Sequence, residues 1–149
     1  MIKKENFVAI EGLAKNWKEA IMLCGEALSK KGLVDNEFAQ SCIEREYEYP
    51  TGLPSEIPVA IPHATSNNIK ESCICFLRLD EPVEFKRMDD DDETIQTRLL
   101  FNLAIKDSGK HIQFLQKLMA FLMNNQAIEN CLRLDINEIS DYLKEHLDM

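Results

Sequence analysis

Apolar residues recur along this chain in two periods, and the places where the period changes divide it into elements. Between residues 16 and 31, Trp17, Ala20, Ile21, Cys24 and Leu28 repeat at helical spacing, with Asn16 placed to cap the start and Gly32 to end it. Residues 35–46 predict a second helix, with Asp35 as N-cap and Phe38, Cys42 and Ile43 facing inward. The stretch that follows, YPTGLPSEIP, holds three of the five prolines and one of the five glycines, so helix cannot continue there. An irregular loop or short extended pieces are expected instead. Residues 72–79 (SCICFLRL) and 98–105 (RLLFNLAI) are near-continuous apolar runs with the length of buried strands. Residues 7–10 and 59–61 are apolar stretches too short to judge by period, and residues 82–85 read as a short edge strand, because Pro82 cannot donate to a ladder. Helical spacing returns over residues 110–123 through Ile112, Phe114, Leu115, Leu118, Met119 and Leu122. A last helix follows Asp135, whose spacing to Glu138 resembles a capping box, with Ile136, Ile139, Tyr142, Leu143 and Leu147 on one side. Helices before and after the strands imply an α/β fold in which helices cover both faces of a sheet.

Composition narrows what such a fold can do. A chain of 149 residues matches one domain with one core, and 45% hydrophobic with 29% charged residues is ordinary globular composition. Residues 1–149 are therefore read as a single domain. The net charge of −9 and the scattered lysines exclude a surface that neutralises nucleic-acid phosphates. No apolar run approaches the ~20 residues that cross a bilayer, and the start, MIKKENFVAIEG, turns polar before a signal-peptide core can form. Five cysteines, Cys24, Cys42, Cys73, Cys75 and Cys131, are odd in number and lie in apolar surroundings, as reduced core thiols do. A cytoplasmic location follows as the expectation. Cys73 and Cys75 share one face of their strand, but no second pair at zinc-site spacing accompanies them, so packing is the expected role. The acidic run at residues 89–93 lacks the Gly turn of a calcium loop and reads as a solvated loop.

The three histidines carry the candidate chemistry. His63 in IPVAIPHATSNN follows a short strand-like VAI and a proline that fixes the backbone, with small Ala64 next to it. A ring presented there, with an ordinary pKa near 6.5, keeps the neutral form whose lone pair can accept a phosphoryl group. Position alone favours a histidine that merely hydrogen-bonds its loop. His111 begins a predicted helix, where unpaired backbone N–H groups favour anions, or it is an exposed helix-start residue. His146, in the last helical turn, suits the helix dipole and reads as structural. Arg45 in EREYE is either a fixed cation for phosphoryl oxygens or a solvated charge.

Taken together, EREYEYPTGLPSEIPVAIPHA resembles the IIA component of the bacterial sugar phosphotransferase system, in the fructose–mannitol superfamily, and PTGLPSE before VAIPHA is most similar to galactitol-type members. FNLAIKDSGKHIQFLQKL matches the second histidine of that family, so the resemblance spans essentially the whole chain. It implies a mixed sheet flanked by helices, His63 as the phosphorylated histidine, His111 as its phosphate-contacting neighbour and Arg45 as the nearby arginine. Family members often have Gly or Thr where this chain has Ala64.

The implied function is a phosphocarrier: His63 accepts a phosphoryl group from phospho-HPr and passes it to a cysteine of a IIB component, in transient complexes with the membrane transporter. Neither metal nor cofactor is called for. An apolar collar of Ile61, Leu53 and Pro54 is expected around the ring. The alternative is a regulatory IIA-like phosphosensor with the same His63 chemistry but a different protein partner.

Overall fold

The computed structural model describes residues 2–64, 67–106 and 111–147. After a 3-10 turn over Lys4–Asn6 come six strands, β1 (Phe7–Gly12), β2 (Gly52–Leu53), β3 (Val59–Ala60), β4 (His63–Ala64), β5 (Cys73–Lys86) and β6 (Thr94–Ala104). Two helices, α1 (Trp17–Lys30) and α2 (Phe38–Glu48), lie between β1 and β2. Three more, α3 (His111–Leu122), α4 (Asn125–Arg133) and α5 (Ile136–Leu147), follow β6. The sheet is mixed, in the order β1-β5-β6-β3-β2, with β4 also paired to β6. Its centre is the antiparallel β5–β6 hairpin; β1 runs parallel to β5, while β3 and β4 run parallel to β6.

Alternation along β5 builds two cores. Cys73, Cys75 and Leu77 point toward α1 and α2, while Ile74 and Phe76 join Phe101, Phe114, Leu118 and Leu143 under the C-terminal helices. Complete burial of such aliphatic and aromatic side chains stabilises by about 1.5–3 kcal/mol each, which is why helix-covered strands read as apolar runs. All five cysteines are buried and reduced, as expected of packing residues.

Caps hold the helix ends where the sequence places them. The Asn16 side chain accepts from Glu19 N at 3.0 Å. Gly32, at φ 74°, closes α1 with its N–H on Ser29 O and the next N–H on Leu28 O. Asp35 differs from expectation: its carboxylate accepts from Glu37 N at 2.9 Å in a tight turn, and α2 starts only at Phe38 and runs to Glu48.

Two further expectations are corrected. Residues 82–85 are the distal part of β5 rather than a separate strand, joined to the rest through a register shift between Arg78 and Val83. The partner β1 ends opposite Leu79, so one edge of β5 is free at Pro82 and the missing donor costs no ladder bond. α4 lies outside the elements expected from the sequence, because its nine residues are few and mostly polar. Ala127, Ile128 and Cys131 nevertheless bury one face, and the Asn124 side chain caps its start by accepting from Ala127 N.

Candidate functional site

His63 is aligned by β6. It sits opposite Leu103 in the β4–β6 register, and the residue before it is held twice: the Pro62 carbonyl accepts from Leu103 N at 2.9 Å and from Asn102 Nδ2 at 3.0 Å. The half-buried ring sets its Nδ1 at 2.9 Å from Ile61 O. A carbonyl only accepts, so Nδ1 carries the proton and Nε2 keeps its lone pair. Among the described residues Nε2 has no hydrogen-bond partner. Burial, and secondarily the positive charge of Arg45, hold the ring's pKa below 6.5 against the upward pull of the Ile61 carbonyl. The imidazole is therefore neutral at neutral pH.

Arg45 comes from the last turns of α2, the helix that lies against β4. Its guanidinium stacks over the exposed Tyr49 ring at 5.1 Å. Its Nε is buried without a hydrogen-bond partner, and only one other buried side-chain atom among the described residues shares that condition, Asn102 Oδ1. Both belong to this corner: Asn102 Nδ2, besides holding Pro62, lies 3.5 Å from Cys42 Sγ, one turn before Arg45 on α2. A neutral nucleophilic nitrogen and an unsatisfied fixed cation within electrostatic reach of it suit an incoming phosphoryl group.

The match is family-wide. The model of the family described as "Phosphoenolpyruvate-dependent sugar phosphotransferase system, EIIA 2" covers residues 1–146. The chain belongs to this family. The galactitol-specific EIIA component of Escherichia coli K12 is 28% identical over 130 residues, 87% of this chain and 86% of that protein. The mannitol-specific IIA component of Enterococcus faecalis is 33% identical over 107 residues, 70% of each. Among solved structures, the Escherichia coli complex of enzyme IIA for mannitol with phosphorylated enzyme IIB superimposes with a TM-score of 0.75 at 27% identity, covering 97% of this chain and 98% of that one. This is a sugar phosphotransferase system IIA protein, of the phosphocarrier and phosphotransferase kind. None of its helices, among the described residues, is long and apolar enough to cross a membrane.

Other candidates fall differently in this IIA chain. His111 opens α3 as expected, but its side chain lies outside the described residues. His146 is structural: its Nδ1 lies 2.9 Å from Tyr142 O and its ring packs on Tyr142 and Phe121. The expected collar is corrected, because Leu53 and Ile61 are buried in the core beneath the C-terminal helices and only Pro54 is exposed. The exposed apolar surface at the site is instead Tyr49, against Arg45. Asp90, Asp91 and Asp92 are exposed with their carboxylates within 4.8 Å of one another, and Asp89 pairs with Arg87, as a solvated hairpin loop does.

Sequence reasoning missed Asn102, Glu46 and Thr51. Glu46 is 6% and Thr51 3% exposed, and the Glu46 carboxylate accepts from Thr51 N at 2.7 Å and Thr51 Oγ1 at 2.8 Å. Burial raises the Glu46 pKa from 4.5 to about 7, against the downward pull of Thr51 and Arg45. Asn102 carried a signal, a lone amide inside RLLFNLAI; Glu46, within EREYE, carried none.

Proposed function

We propose that this IIA protein shuttles a phosphoryl group from phospho-HPr to a cysteine of a IIB component, with Nε2 of His63 as the atom that carries it. The observation behind this reading is the committed Nδ1–H of His63, donated to Ile61 O, beside the unsatisfied cation of Arg45. The Nε2 lone pair attacks phosphorus in line, and the N–P bond of the donor histidine breaks with its electron pair returning to that ring. Positive charge developing on the His63 ring faces the Ile61 carbonyl through Nδ1–H. Arg45 takes the equatorial oxygens, with His111, at the N-terminus of α3, as a second donor. A thiolate then forms the P–S bond, and His63 leaves as the neutral ring it was at the start.

The similarity to a galactitol-specific EIIA component supports a galactitol-type system. The test is intact-mass analysis after incubation with phosphoenolpyruvate, Enzyme I and HPr, followed by addition of a galactitol-type IIB. One acid-labile adduct, absent from His63→Ala and discharged by IIB, is the expected result. An adduct that no IIB discharges turns the reading toward a regulatory phosphosensor, and no adduct overturns it.

A further inference from the structure

His63 is tied to α2 by a continuous line of hydrogen bonds. The Glu46 carboxylate accepts from both the amide and the hydroxyl of Thr51. The Thr51 carbonyl accepts from Ile61 N at 3.3 Å, and the Ile61 carbonyl receives His63 Nδ1–H at 2.9 Å. Each link fixes the next: Thr51 sets the plane of the peptide that carries Ile61 N, and Ile61 offers the acceptor that decides the ring's tautomer. The same loop is pressed onto β5 at Gly52, where a Cβ would come within 2.5 Å of Lys86 O. Nothing bulkier than glycine fits there, so the carboxylate and the close approach together determine where Thr51 sits.

We propose that Glu46 is a positioning residue for phosphoryl transfer, acting through Thr51 and Ile61 to keep His63 in the form with Nδ1–H donated and Nε2 free. The proposal rests on the reading of His63 as the phosphoryl acceptor. A neutral or apolar side chain would anchor a loop with less desolvation than a buried carboxylate, and polar groups that burial makes costly collect at functional sites. The groups around Glu46 agree with a local electrostatic role. Arg45 precedes it on α2, the Cys42 thiol lies one turn back, and Lys86 from β5 lines, with Trp17, Tyr47 and Phe85, a cleft of about 100 Å³ against it. Tyr49, on which the Arg45 guanidinium stacks, lies between Glu46 and Thr51 in the chain.

The experiment compares wild type, Glu46→Ala, Glu46→Gln and Thr51→Val by nitrogen-15 NMR of the His63 ring in the unphosphorylated protein, and by the rate of phosphoryl acceptance from phospho-HPr. Glu46→Ala is expected to move the ring toward the Nε2–H tautomer and to slow acceptance about tenfold, the effect of losing about one hydrogen bond to a charged group. Glu46→Gln, which still accepts from the Thr51 amide, is expected to restore the tautomer and most of the rate. Thr51→Val is expected to shift both readouts in the Glu46→Ala direction, by about threefold in rate. A folded Glu46→Ala with wild-type tautomer and rate overturns the proposal, and so does a rate loss with no change of tautomer. Should Glu46→Ala not fold, a wild-type ring spectrum in Thr51→Val overturns it equally. A wild type that accepts no phosphoryl group overturns the His63 reading instead, and the tautomer comparison remains decisive for Glu46.

Discussion

Arg78 and Arg45 are both long cations drawn in from solvent, and they end in opposite conditions. Arg78, on β5, is 7% exposed and commits its guanidinium fully: Nε and Nη2 to Glu11 at 3.2 and 2.9 Å, and Nη1 to the carbonyls of Cys131 and Leu134 at 2.9 and 2.7 Å. Those carbonyls are orphans at the end of α4, so Arg78 does for that helix what a C-cap does. Arg45, at the other corner, holds a buried Nε that nothing among the described residues accepts from. An unsatisfied buried donor costs about 1–3 kcal/mol, and an arriving anion removes that cost. A satisfied arginine belongs to the fold; a buried Nε without an acceptor, within electrostatic reach of the His63 ring, is what the proposed phosphoryl transfer would use.

That contrast is broken most sharply at Arg45. Arg45→Met should lower the rate of phosphoryl acceptance about 100-fold or more, because a fixed donor to a developing charge is worth ~3 kcal/mol in the transition state. Its thermal midpoint should stay level or rise, since the substitution removes the unsatisfied Nε. Rapid-quench transfer from phospho-HPr, read beside a melting curve, checks both. A stability loss with an unchanged rate would make Arg45 a structural residue like Arg78.

The mirror experiment is Arg78→Met, which leaves the buried Cys131 carbonyl of α4 and the half-buried carbonyl of its C-cap Leu134 without that donor. Urea unfolding should show a loss of about 2–3 kcal/mol, while acceptance by the folded fraction stays at the wild-type rate. Glu11, with its side chain about half exposed, rehydrates and adds little. A transfer defect in this variant would blur the distinction between the two arginines.

The difference between these regions also explains what the sequence made legible. The caps at Asn16 and Gly32 and the two faces of β5 are local or periodic features, and each stands where its pattern puts it. The capping role of Arg78 was illegible because the end of α4 that it holds is 53 residues away in sequence and no local signal announces that, while α4 itself is short and mostly polar. The site divides the same way. The family resemblance singles out His63 and Arg45 for the proposed site, whereas Glu46 in the same charged run as Arg45 looks solvated, and only the turn of the chain at Pro50 and Gly52 brings Thr51 over it. The collar expectation erred because strand alternation, rather than nearness to His63 in sequence, decides which way Leu53 and Ile61 point.

The smallest effect, and the one that separates the two titrating groups of the site, is in stability against pH. The Glu46 pKa rises from 4.5 to about 7 on folding, so between those values the native state holds a proton that the unfolded chain has released. Its contribution is fully present below pH 4.5 and is lost as pH rises through about 7. His63 has the opposite sign: with a pKa held below 6.5, it favours the native state above that pH and loses its contribution as pH falls. Wild-type stability therefore mixes two opposing slopes near pH 6, and only a difference measurement isolates one. Glu46→Gln cannot titrate and leaves the His63 slope in place, so its stability relative to wild type should increase by about 1 kcal/mol between pH 6 and pH 8. Urea unfolding at pH 6, 7 and 8 measures it. A flat difference would mean that the Glu46 carboxylate is charged in both states across this range, held ionised by Arg45 and Thr51 more firmly than burial opposes.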